Sequence, residues 1–96
     1  MLKPLPGFEW DEAKAEANRL KHRVSFAAVK DFDFEHALVT EDLREDYGEE
    51  RLFALGKIGR TVHALVFTRR EEKRRIISLR KATKEERAAY FAAWGQ

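Results

Sequence analysis

The sequence predicts an α+β domain, an antiparallel β-meander with helices before it and one helix after it, in the order β-α-α-β-β-β-β-α. Three observations carry that reading. A well-capped helical segment lies between Asp11 and Val24. Runs rich in Val, Ile, Leu and Phe follow at short intervals, separated by Gly-containing or charged turns. Thr83-Lys-Glu-Glu86 then has the form of a capping box and opens a last helix.

Taken in order, Phe8-Glu-Trp10 reads as a short first strand. Asp11 stands where an N-cap belongs, because its carboxylate can accept from the free N–H groups of the first turn. Glu12 to His22 continues as helix, acidic at its start and basic at its end (Lys21, His22, Arg23), as the helix dipole favours. Ala13, Ala17, Leu20 and Val24 recur at helical spacing and predict the stripe that faces the core. Ser25 caps a predicted short helix over Phe26–Asp31. Ala37–Asp42 reads as a strand and Leu43–Glu49 as an acidic loop broken at Gly48.

Arg51–Ile58 and Val62–Thr68 predict a hairpin over the two-residue turn Gly59-Arg60. A second charged turn, Arg69–Arg74, returns the chain into the strand Arg75–Arg80. Strict alternation on that strand sets Ile76, Ser78 and Arg80 on one side and Arg75, Ile77 and Leu79 on the other. With the helices covering one side, Arg80 and Ser78 would floor a phosphate site on the other. The last helix runs to Trp94, with Ala88, Phe91, Ala92 and Trp94 as its apolar face.

Composition bounds the function. A chain of 96 residues holds one core, and seven Phe with two Trp exclude a disordered chain. The expectation is one domain over residues 1–96, with Met1–Gly7 as an extended leader. The absence of Cys excludes a disulfide framework and thiolate zinc sites. No apolar run reaches the roughly 20 residues of a membrane-spanning helix, and the first residues lack the apolar stretch of a signal peptide. A cytoplasmic protein without a membrane partner is expected. His36 and His63 lack metal-ligand spacing, so neither a metal nor another cofactor is expected.

Charge is unevenly spread beneath a net of +2. Asp31 to Glu50 holds nine acidic residues against Arg44 alone, a net of −8. Arg69 to Arg87 holds nine basic and four acidic residues, a net of +5. The basic segment suits a polyanion, and the acidic one suits a basic protein or a solvated surface.

Four stretches, in this order, resemble the BrnT toxin family. They are Phe8-Glu-Trp-Asp-Glu-Ala-Lys14 leading to Asn18 and Lys21-His22-x-Val-Ser-Phe26; Gly48-Glu-Glu-Arg51 with Leu55-Gly56; Val66-Phe-Thr-x-Arg70; and Arg75-Ile-Ile-Ser-x-Arg80-x-Ala-Thr83-x-x-Glu86-Arg, ending at Tyr90. The chain departs from the pattern at Asp33-Phe-Glu-His36, which lacks a proline, and at Ala27 and Ala28. The resemblance implies a RelE-like fold and an endoribonuclease toxin of a type II toxin–antitoxin system that inhibits translation. It also implies a ribbon-helix-helix antitoxin of BrnA type, which would bring the pair to DNA.

Metal-independent RNA cleavage needs a group to take the ribose 2′-OH proton, one to protonate the leaving oxygen, and cations to hold the charge that develops on phosphorus. Lys21 and His22 are candidates for this chemistry, and equally for cations that answer a helix C-terminus. Arg80 is the first candidate for a phosphate fork, with Arg51 a second. Tyr90 is a candidate for stacking on a base, or for packing on the sheet. Arg69, Arg70, Arg74, Arg75, Lys81 and Lys84 are expected to hold the RNA backbone. Asn18 and Lys14 are read as bracing the fold. A non-catalytic nucleic-acid-binding or antitoxin-binding module remains the alternative.

Overall fold

The computed structural model describes residues 7–95; the leader expected over Met1–Gly7 lies, apart from Gly7, outside them. The elements are β1 (Phe8–Glu9), α1 (Glu12–His22), a short 3₁₀ helix (Phe26–Asp31), β2 (Leu38–Glu41), β3 (Leu52–Ile58), β4 (Thr61–Arg70), β5 (Lys73–Lys81) and α2 (Lys84–Trp94). The caps read from the sequence are formed. Asp11 accepts from the Ala13 N–H, Ser25 from that of Ala27, and Thr83 and Glu86 close a reciprocal capping box.

Strands β2 to β5 form the predicted antiparallel meander, and the β3–β4 hairpin turns over Gly59 at φ 64° with Arg60. The sheet as a whole is mixed, because β1 adds at the free edge of β5 in parallel. A strand that runs straight into a helix cannot close a hairpin, so β1 pairs with the strand that the rest of the chain brings back.

Two packed layers define two sheet faces. On the first, α1 and the 3₁₀ helix cover Leu52, Ala54, Leu65, Phe67, Ile76 and Leu79. On the second, α2 covers Leu55, Val62 and Ala64 with Tyr90 and Phe91. Helices therefore lie on both faces, not on one as expected. Gly56 opens β3 to the first layer: a Cβ there would come within 2.6 Å of the Phe32 ring.

A bulge in β5 corrects the predicted alternation. Val66 pairs with Ser78 but Phe67 pairs with Ile76, so Ile77 is the extra residue. Ile76 and Leu79 consequently share the α1 face, and Arg75, Ser78 and Arg80 share the α2 face. Beyond the bulge, β1 ends opposite Arg75, and no further strand among the described residues pairs with the β5 edge. Asn18 closes it. Its amide donates to the Leu79 carbonyl at 2.7 Å and accepts from the Leu79 N–H at 3.3 Å, and it also donates to the Val24 carbonyl.

That clasp sets the rotation of α1. The helix turns Ala15 and the buried Asn18 inward, while Ala13, Ala17 and Leu20 face outward, Leu20 with 64% exposed. Of the predicted stripe only Val24 joins the core. The demand of buried backbone groups for partners outweighs the weak apolar pattern of an alanine-rich helix. In α2, Tyr90 and Phe91 point inward and Ala88 and Ala92 outward, which also differs from the expected face.

The acidic loop is organised around one buried carboxylate. Asp42 accepts two bonds from the Arg44 guanidinium at 2.7 and 2.8 Å and one from the Tyr47 hydroxyl at 3.3 Å. Its side chain is 2% exposed, so it is not one of the solvated acids that the charge run suggested.

Removing the clasp should cost about 2 kcal/mol, because Asn18→Ala strands both Leu79 groups at a buried edge. A fall in Tm on the order of 10 °C is expected, against little change for Ala17→Ser on the outer side of α1. Equal melting of the two variants would show that Asn18 does not hold the edge. A second expectation concerns acid. The Arg44 hydrogen bonds hold Asp42 down to about 2. Its folded pKa lies below the unfolded one, so its contribution is whole above about pH 4 and lost as pH falls toward 2. Asp42→Asn should flatten the decline of Tm over that window, and a decline as steep as in the parent would exclude the loop as its source.

Candidate nucleic-acid site

The cross-strand register places the candidate residues on the α2 face in rows. Arg80 lies beside Ala64 and Leu55, Ser78 beside Val66 and Phe53, and Arg75 beside Thr68. Arg51 precedes β3 at the Thr68 end, where the Thr68 hydroxyl donates to the Glu50 carbonyl at 2.6 Å. An open groove of about 330 Å³ lies between the acidic loop and the start of α2, lined by Thr40, Asp42, Arg44, Phe53, Arg80 and Glu86.

Arg80 is not a free surface cation. Its guanidinium donates to both Glu86 oxygens at 2.7 and 3.0 Å, and its side chain is 28% exposed. Glu86 accepts from the Thr83 N–H as well, so the capping box of α2 and the Arg80 fork share one carboxylate. The Arg80 hydrogen bonds hold Glu86 down to about 2, and Glu86 raises Arg80 in return. The arrangement fixes the rotamer of Arg80 while the groove keeps part of it in contact with solvent.

Lys21 and His22 end α1. Burial first, then the cations of Lys21 and Arg80, hold His22 below the usual histidine range, so its ring is largely neutral at physiological pH. His22 ends α1 on the first face of the sheet and Arg80 stands on the second, so the two feel each other's charge without lining a common groove. Lys81, next to Arg80 in the chain, and Lys84, at the start of α2, are both exposed.

The other basic candidates stand elsewhere. Along β5, Arg74 and Lys81 are about 23 Å apart at strand rise, so the 69–87 segment is two patches and not one surface. Arg69, Arg70, Arg74 and Arg75 gather at the β4–β5 turn. There Arg70 pairs with Glu49, Arg75 with Glu9, and Arg74 lies 4.1 Å over the Phe34 ring on the α1 face. Arg51 stacks 3.9 Å over the Tyr47 ring and buries an Nε without a hydrogen-bond partner among the described residues. Tyr90 is 4% exposed within the second core cluster, which leaves its ring no open face for a base.

Sequence reasoning missed Arg44 and Lys57. Arg44 is the lone cation in an acidic run, and only the fold of the loop sets it across from Arg80. It also missed the pairing of Asp33 with His36, whose only sequence signal is their spacing of three residues.

The family model described as a ribonuclease toxin, BrnT, of type II toxin–antitoxin systems matches residues 10–86. The match takes in Lys21, His22, Arg51 and Arg80 and stops before Tyr90. No curated protein sequence matches the chain. The match covers most of the chain, along the α+β fold described above, and the chain belongs to the BrnT family of ribonuclease toxins.

Proposed function

We propose that the protein is the RNA-cleaving toxin of such a pair, a metal-independent endoribonuclease acting on single-stranded RNA in the cytoplasm. The observation that carries this reading is a guanidinium, Arg80, held in one orientation on the wall of an open groove in a chain of this family. A neutral imidazole, for which His22 is the sequence candidate, accepts the 2′-OH proton, the 2′-oxygen attacks phosphorus, and the 5′-oxygen leaves with a proton taken from water, giving a 2′,3′-cyclic phosphate. Arg80 and Lys21 stabilise the charge that builds on the phosphoryl oxygens. Lys84, exposed at the start of α2, supplies a further cation for the strand, and the Arg51–Arg75 end receives its continuation. A ribbon-helix-helix antitoxin would bury this surface and bring the complex to DNA.

Arg80→Ala should cut cleavage on the order of a hundredfold, the usual scale for removing one transition-state donor. It also unpairs Glu86, so a modest loss of Tm is expected, and Glu86→Gln serves as the control. Glu86→Gln keeps a capping carbonyl but not the ion pair. If Glu86→Gln, with Arg80 still present, loses as much cleavage as Arg80→Ala, the ion pair and not contact of Arg80 with RNA is what cleavage requires. Arg80→Lys should recover only part of the activity, since the planar fork is gone. Mapping of RNA ends with purified protein in EDTA reads all three.

The antitoxin should meet the acidic loop electrostatically. Asp42 is structural and Glu41 lines the groove, so reversal is directed to Glu45, Asp46 and Glu50, all exposed. Their reversal should slow association and reduce its salt dependence while cleavage by the free toxin persists. Stopped-flow rates that do not change would leave the loop as an ordinary solvated surface.

A further inference from the structure

At the far end of α2 from Arg80, five side chains distant in sequence close around a depression of about 260 Å³: Asp33, His36, Lys57, Tyr90 and Trp94. None of them belongs to the Arg80 groove. We propose that this depression is a nucleotide subsite on the path of single-stranded RNA, with a base against Trp94 and a phosphate on Lys57 and His36. The proposal rests on the ribonuclease reading only for the identity of the strand, not for the chemistry of the depression.

Each part has a physical basis. Trp94 is 49% exposed, so part of its ring is open to a ligand, and it stands edge-on to the His36 ring at 5.4 Å. Stacking on an aromatic side chain is the common way to hold an unpaired base, since every base offers a π face. Asp33 orients the imidazole: its Oδ2 lies 2.8 Å from His36 Nδ1, and its Oδ1 accepts from the His36 N–H. That leaves Nε2 without a partner among the described residues. Lys57 is tied to the Asp33 loop through its backbone and reaches toward α2 with its side chain. Its carbonyl accepts from the Asp33 N–H at 3.0 Å, and its Nζ lies 5.5 Å over the Phe91 ring without an ion pair among the described residues.

Around the imidazole, Asp33 and Glu35 are balanced by Lys57 and by the protonated ring itself, so an anion in the depression is held by two donors and not by a net positive field. Asp33 and Glu35 on its own loop, Lys57 on β3 and Tyr90 on α2 are the titratable groups that face it. The Asp33 hydrogen bond, with help from Glu35, raises His36 above its ordinary range. Asp33 is thereby occupied and has little to offer an incoming cation, while His36 and Lys57 present two positive donors. Along α2 the interval from Glu86 to Trp94 is about 12 Å at helical rise, short enough for one strand to touch both depressions.

The test uses the full chain and a short single-stranded 2′-deoxy oligonucleotide, which binds but has no 2′-OH to attack, with adenosine 5′-monophosphate in parallel. Trp94→Ala should weaken oligonucleotide binding about tenfold. Lys57→Gln should lower the slope of log affinity against log salt by about 0.7. Binding to the parent should fall as pH rises through the His36 pKa, and His36→Gln should abolish that dependence. All three side chains are at least partly exposed, and melting of each variant is measured alongside. Variants that shift Tm but leave affinity, salt slope and pH dependence intact would overturn the proposal, and the cations would then serve only the carbonyl end of α2. Sensitivity of the mononucleotide but not of the oligonucleotide would overturn the assignment to the RNA path. A parent chain that binds the oligonucleotide through these residues yet cleaves no RNA would sink the ribonuclease reading and leave the subsite standing.

Discussion

Ile77 is one residue more than β4 can pair, and the chemistry of the last strand depends on it. Without the bulge, Arg75 and Arg80 would point to opposite sides of the sheet, five residues apart on a strand of period two. With it, both reach the α2 face, with Ser78 between them, while Ile76 and Leu79 are left together to close the α1 core. The same shift brings the Leu79 N–H and carbonyl to a free edge, and Asn18 is the group that satisfies them. The position of α1, and with it Lys21 and His22, follows from that clasp. A local irregularity of one residue thus coordinates a core, a helix and a candidate site.

Electrostatics in this domain is largely pairwise. The segment charges of −8 and +5 already contain two contact pairs, Asp42–Arg44 and Glu86–Arg80, and pairs with outside partners take one charge from the first segment and two from the second. Asp42 is neutralised by Arg44, Glu86 by Arg80, Glu9 by Arg75 and Glu49 by Arg70. Pairs of this kind fix geometry more than they add stability, since their Coulomb gain is offset by desolvation and by lost side-chain freedom. Arg80 illustrates the consequence. Its partner also caps α2, so the orientation of the fork and the start of the helix are set by one carboxylate. In the proposed reaction the phosphate meets a guanidinium whose rotamer is already chosen, which is what a positioning-dominated mechanism requires.

The sequence by itself determined every element whose signal is local. Asp11, Ser25 and Thr83–Glu86 mark helix starts because capping is settled by residues within one turn. Gly59-Arg60 marks the hairpin because only a few turn geometries join two strands tightly. The family resemblance was legible for the same reason: the order of short motifs along the chain survives without coordinates. Lys21, His22, Arg51 and Arg80 were all visible as residue types suited to phosphate chemistry.

Tertiary structure decided everything that depends on a partner far along the chain. Periodicity assigned Ala13, Ala17 and Leu20 to the core, but the unpaired edge of β5, 61 residues away, claimed Asn18 instead. Alternation assigned the faces of β5, but pairing with β4 inserted the bulge. Composition made the 69–87 segment one basic surface, but an extended strand separates its ends. His36 and Trp94 read as unrelated residues until the return of α2 across the sheet set them 5.4 Å apart. Local free energies of capping and turning are written in adjacent residues, whereas register and satisfaction of buried backbone groups are properties of the assembled sheet.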